Sequence, residues 1–138
     1  MKTKIAFMSF VVLFGSFMLL SMTSAPQAKG KPWTIPANYA SMKNTVKYDA
    51  AGETKAKELW NKMCKSCHGA KGLGDGTKAA GLKTSAGDFS SKEFQAQKDG
   101  ALFFQTTIGR DEMPGFEKKI PSADDRWLLV SFMRALKK

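Results

Sequence analysis

Histidine is almost absent from this chain: His68 is the only one in 138 residues, and Cys64 and Cys67 are the only cysteines. Two histidines on one metal within the chain are therefore excluded. No internal repeat and no dependable strand pattern is found, so a βαβ setting for a redox dithiol is missing. Acidic residues are scarce as well, 12 against 22 Lys and Arg, for a formal charge of +10. Lys2 and Lys4 account for two of these charges, leaving +8 after Ala25. Such an excess gives a solvated surface, and it also steers the chain toward acidic partners. Nucleic acid is a poor match, because there is no clustered basic helix or aromatic stacking platform.

The longest apolar run, Ile5 to Leu20, is shorter than the ~20 residues of a membrane-spanning helix. Lys2 and Lys4 precede it, and Ser21, Thr23, Ser24 and Ala25 follow it. That is the layout of a secretory signal peptide over 1–25. Thr23-Ser24-Ala25 fits a small-x-small cleavage site, whereas Pro26 behind it does not favour cleavage, so a retained anchor is the alternative. No cysteine stands near this boundary to carry a lipid. The segment 26–50 reads as an irregular arm, with Trp33, Ile35 and Tyr39 as apolar handles that should pack on the domain formed by 51–138.

What is present is concentrated in one place. Residues 64–68 read Cys-Lys-Ser-Cys-His, the attachment run for a c-type haem. Thiols at i and i+3 on one helical turn can each add across a haem vinyl group. The adjacent His68 then offers an imidazole nitrogen to the iron. A disulfide within this run would close too small a loop to constrain the unfolded chain. A thiol redox pair or a metal knuckle is the competing use of the two cysteines.

The elements around the run are helical. Ala56, Leu59, Trp60 and Met63 follow the spacing of a buried helix face, predicting a helix from Gly52 or Glu53 to Cys67. Gly69, Gly72, Gly74 and Gly76 then form a loop that lets backbone pass close to the haem edge; they do not match a phosphate-binding fingerprint. Ser90-Ser91-Lys92-Glu93 has the form of a capping box before a short helix through Phe94 and Gln97. Asp99 is placed to cap a helix from Gly100 to Ile108, ended by Gly109. Ser122 to Asp125 opens a last helix from Asp124 to about Leu136, with Trp127, Leu128, Val130, Phe132, Met133 and Leu136 as its apolar members.

A second iron ligand has to be something other than histidine, and thioether sulfur is the natural choice. After Ala25 the candidates are Met42, Met63, Met113 and Met133. Met63 adjoins Cys64 on the attachment helix, Met133 falls in the last helix's core pattern, and Met42 lies in the arm. Met113 sits in an irregular loop, where Pro114 disfavours helical geometry and removes a backbone donor. It is the best candidate, with an ordinary loop methionine as the alternative.

Leu59-Trp60, the Cys64–Gly69 run, Gly72-Leu73-Gly74-Asp75-Gly76, Met113-Pro114-Gly115-Phe116 and Trp127 together resemble a class I, monohaem c-type cytochrome over residues ~52–138. The resemblance implies an all-α, cytochrome c-like fold around one covalent haem c, held through Cys64 and Cys67. Its iron lies between His68 and Met113. It also implies first and last helices crossing near an aromatic pair, for which Trp60 and Trp127 are in place. Where such domains often have glycine eight residues before the first haem cysteine, this chain has Ala56, so a slightly wider crossing is expected.

Such a protein is an electron carrier rather than an enzyme, with no small-molecule substrate. Its setting would be the periplasm or another exported location, as a free carrier or a small subunit of a respiratory chain. Membrane contact would come only through a partner complex or an uncleaved N-terminus. Its partners would be redox proteins with acidic docking surfaces, met by Lys62, Lys65, Lys71, Lys78 and Lys83, and Arg110 could contact a haem propionate. The alternative is a haem enzyme or sensor with an open distal site for a small ligand.

Overall fold

A computed structural model describes residues 27–138, and the signal segment expected over 1–25 lies outside them. Six α-helices and one short 3-10 helix make up the described regular structure: α1 Ala37–Ala40, α2 Ala50–Met63, α3 Lys65–His68, the 3-10 helix Ala79–Gly81, α4 Lys92–Gln95, α5 Asp99–Ile108 and α6 Ala123–Ala135. Among the described residues, β-pairing is limited to two isolated bridges, Ala28 with Thr84 and Arg110 with Met113. None of their helices is long and apolar enough to cross a membrane.

Helices α2 and α6 form the main packing pair. Ala56 is fully buried between them and Trp60 is 1% exposed. Trp60 packs on Phe132 across the interface, ring centroids 5.1 Å apart, and on Phe89 at 5.7 Å. Trp127 is not its partner. It faces the other way and stacks on Phe103 of α5 at 4.1 Å, in a second cluster with Leu102 and Val130. Trp127 and Phe132 are five residues apart and fall on different sides of α6, so only one can meet α2.

Helix starts follow local chemistry in some places and tertiary demand in others. Asp49 caps α2 by accepting from the Gly52 N–H at 3.1 Å, and Ser122 caps α6 by accepting from Asp125 N–H at 3.2 Å. At α4 the cap is Ser91, bonded to Phe94 N–H, while Ser90 bonds to Asp88 instead. Asp99 does not cap α5. It lies in the first turn of that helix and pairs with Arg134 of α6 at 2.8 Å. Arg134 also donates to the Gln95 and Gln97 carbonyls, so one guanidinium ties the whole 95–99 segment to the last helix.

The arm packs closely on the domain. Tyr39 stacks on Phe103 and meets Phe104 edge-on at 4.9 Å, while Trp33 meets Phe104 at 6.3 Å. Asn44 Nδ2 donates to Trp127 O and Ser131 Oγ on α6. Helix α1 approaches α5 at Gly100, where a Cβ would collide with the Tyr39 carbonyl oxygen. Backbone cannot yield as a side-chain tip can, so Gly100→Ala must separate the two helices. It is expected to cost about 2–3 kcal/mol, at the upper end of ordinary overpacking, as measured by urea unfolding.

Candidate functional site

The attachment run occupies a turn of its own. Helix α2 ends at Met63, and Cys64 links it to α3 with φ −115° and ψ −39°. The Cys67 and His68 N–H groups both donate to Cys64 O, at 3.2 and 3.0 Å. The following loop folds back on this turn. Gly74 N–H donates to His68 O, Gly76 N–H to Cys67 O and Lys78 N–H to Ser66 O, satisfying carbonyls that the helix end leaves free. Trp60 Nε1 holds Gly69 O at 3.0 Å, bringing the buried indole of α2 against the end of the run. None of Gly69, Gly72, Gly74 and Gly76 lines the cavity beside the run. Gly76 lies against the attachment turn itself, where a Cβ would meet the backbone of Lys65, Ser66 and Cys67, while a Cβ on Gly74 would meet the Gly87 backbone.

That cavity measures about 320 Å³. Cys64, Cys67, His68 and Met113 all line it, so the four residues singled out in the sequence converge on one space. Its walls are largely apolar, with Trp60, Leu82, Phe89, Phe94, Leu102 and Phe116 among them. Met63 and Met133 also reach it, whereas Met42 lies elsewhere and is 38% exposed.

Burial poises Cys64 and His68 as neutral species. Burial pushes the Cys64 thiol up to about 12, with repulsion from Cys67 adding to the effect. An activated thiol needs the opposite, acidification by its surroundings, so Cys64 is unsuited to be the nucleophile of a redox pair. Burial lowers the affinity of His68 for a proton, opposed by its hydrogen bond to Ala86 O. That bond, Nδ1 to the Ala86 carbonyl at 3.0 Å, requires Nδ1 to carry the hydrogen, because a carbonyl only accepts. Nε2 is then the bare nitrogen, in the tautomer a metal needs.

Met113 is held by more than its proline. Gly109 and Gly115 stand at the base of its loop so close that a Cβ on Gly109 would meet the backbone of Pro114 and Gly115, and one on Gly115 would meet Ile108 O. Gly109 also has φ +67°, a conformation that favours glycine. Phe116 N–H donates to Thr106 O and Thr107 O at 3.1 Å, closing the stem. Arg110, considered as a propionate contact, lines the cavity, but its guanidinium donates to the Lys31 and Pro32 carbonyls and lies 4.1 Å over the Trp33 ring. The arm thus reaches the cavity rim, a placement no local pattern in the sequence discloses.

A family model described as Cytochrome C oxidase, cbb3-type, subunit III matches residues 51–133, more than half of the chain. The chain belongs to that family, whose domains are class I c-type cytochromes. Solved structures agree on the fold. This cytochrome is similar to the KustC0563 c-type cytochrome, at 29% identity and a TM-score of 0.52, over 60% of this chain and 98% of that one. It is also similar to the Kuenenia stuttgartiensis reducing HAO-like protein complex Kustc0457/Kustc0458, with 24% identity and a TM-score of 0.60, over 67% of this chain. The match spans 47% of the latter, about half its length. No curated protein matches the chain.

A c-type cytochrome carries covalently bound haem c, and the residues present fit one. The cavity combines apolar walls, two thiols, a histidine whose Nε2 is free and a thioether from a rigid loop. Arg110 and Lys31 at the rim supply positive charge.

Proposed function

We propose that this cytochrome transfers electrons through one haem c, joined to Cys64 and Cys67 and ligated by His68 and Met113. It would act outside the cytoplasm, as an exported carrier or a small subunit of a respiratory chain. The observation that carries the reading is the convergence of these four residues on one largely apolar cavity.

When bound, the haem iron supplies a one-electron ferrous/ferric couple. The chain's own residues set the conditions for it. Ala86 O fixes the His68 tautomer and orientation through Nδ1, so the ring need not rotate between oxidation states. The Gly109–Gly115 stem and Pro114 hold the Met113 thioether, which raises the potential relative to a second imidazole. Trp60, Phe89, Leu102 and Phe116 exclude water, keeping reorganisation small. No proton donor or acceptor is needed, since the step moves only an electron. An optical redox titration should therefore give a single one-electron wave. A two-electron wave, or steady turnover of peroxide, would contradict the proposal.

The lysines flanking the attachment turn and its loop, Lys62, Lys65, Lys71, Lys78 and Lys83, are all exposed. They support docking to an acidic redox partner by long-range steering. Between ~10 and 150 mM salt the Debye length falls from about 30 to 8 Å, so the second-order rate with an acidic partner is expected to drop roughly tenfold or more. A stopped-flow rate that does not change with salt would remove the steering role.

A further inference from the structure

The Met113 turn is anchored at two points away from its own stem, and the N-terminal arm takes part in both. Arg110 and Met113 close the turn through reciprocal backbone bonds, Arg110 N–H to Met113 O at 2.8 Å and Met113 N–H to Arg110 O at 2.9 Å. Asp111, inside it, is the one non-glycine with positive φ, +50°, among the described residues. On one side of the turn Arg110 reaches the arm, bonding to the Lys31 and Pro32 carbonyls and covering the face of Trp33. On the other side Glu112 Oε2 accepts from the Lys83 N–H at 2.8 Å and the Thr84 N–H at 3.3 Å. The arm reaches that segment too: Ala28 bridges to Thr84 and accepts from Ser85 N–H at 3.0 Å. Two residues on, Ala86 O holds His68 Nδ1. Segment 83–86 is thus a strut shared by both predicted iron ligands, and the arm is bonded to the strut at one end and to the methionine turn at the other.

We propose that residues 28–33 of the arm, with Arg110 and Glu112, form a clamp that positions Met113 against the iron. Arg110, Glu112 and Trp33 are positioning residues, since none of them touches the iron. Asp111 and Glu112 are exposed at the tip of the turn, and without the clamp the tip would be held by the Gly109–Gly115 stem alone. Releasing the clamp leaves the haem attached and lets the thioether come off the iron more often. This inference rests on the His68/Met113 reading above.

The test uses the full-length haem-loaded protein and reads carbon monoxide association to the ferrous form and the near-infrared sulfur-to-iron band of the ferric form. Trp33→Ala, Arg110→Ala and Glu112→Ala should each speed carbon monoxide association roughly tenfold, the coupling expected of contacting residues, and weaken the band. Glu112→Gln keeps a side-chain oxygen acceptor and should return within about twofold of wild type. Trp33→Ala combined with Arg110→Ala should exceed Arg110→Ala alone by less than about twofold, since both remove one contact. Lys43→Ala, exposed on the arm outside residues 28–33, should change nothing. Helix content by circular dichroism, unchanged throughout, separates clamp release from unfolding. A wild-type protein with the band, together with three alanine variants within twofold of its rate, overturns the clamp alone. A wild-type protein without the band overturns the axial assignment and the clamp with it.

Discussion

Met113→Ala is expected to remove the near-infrared sulfur-to-iron band, lower the reduction potential and open the ferrous iron to carbon monoxide. The effect is expected to be large because the other methionines that reach the cavity, Met63 and Met133, are fixed in helices. His68 is the only histidine and is already committed through Ala86. Met63 adjoins the attachment run and Met133 is 4% exposed within α6, so neither can exchange position without moving a helix. Axial ligation sets haem potentials over a span of about 0.8 V, and loss of the thioether is expected to lower this one by roughly a few tenths of a volt. Voltammetry and flash photolysis read both changes. A variant with unchanged potential would mean that another group ligates the iron.

Replacing both cysteines with alanine has the second large effect, and it is all or none. In the parent protein haem should stay with the polypeptide through acid–acetone extraction and denaturing chromatography. In Cys64→Ala/Cys67→Ala it should separate completely, while each single variant keeps it through one thioether. Folding should fail together with attachment. The ~320 Å³ cavity is walled by residues of both hydrophobic clusters, including Trp60, Phe89, Phe116 and Leu102. At about 24 cal/mol per Å³ an empty space of that size costs at most on the order of 8 kcal/mol, comparable to the whole stability of a small domain. The haem-free double variant should therefore keep little fixed tertiary structure, seen as lost near-ultraviolet dichroism and rapid proteolysis. A double variant with full near-ultraviolet signal would show that the polypeptide holds the cavity open by itself.

The gathering of Cys64, Cys67, His68 and Met113 at one cavity was legible in the sequence because the pattern is local. Cys64, Cys67 and His68 fit on one turn, and Met113 was isolated by the scarcity of competitors and by Pro114. The α2 and α6 helices were legible for the same reason, since amphipathic spacing and the Ser122 cap act within a few residues. What could not be read depends on contacts distant in the chain. Trp60 meets Phe132 rather than Trp127, because the rotation of α6 is set by packing against α2 and α5 together. Asp99 has the composition of a cap but is drawn to Arg134, 35 residues away. The glycine loop folds back on the attachment turn through Gly74 and Gly76, which no local pattern discloses. Arg110 is bound to Lys31, Pro32 and Trp33 of the arm, all distant from it in the chain. Only the pairing of Gly109 with Gly115 left a signal that could have been used, two glycines placed symmetrically around a loop that needs a narrow stem.

The ligand pair is the centre of this account, and the near-infrared spectrum of the unmodified ferric protein at room temperature tests it most directly. Coordination of the iron by His68 and Met113 predicts a weak sulfur-to-iron charge-transfer band, together with slow carbon monoxide binding after reduction. A spectrum without that band, from a protein whose ferrous form binds carbon monoxide at once, would contradict it and assign the cavity to small-ligand chemistry instead.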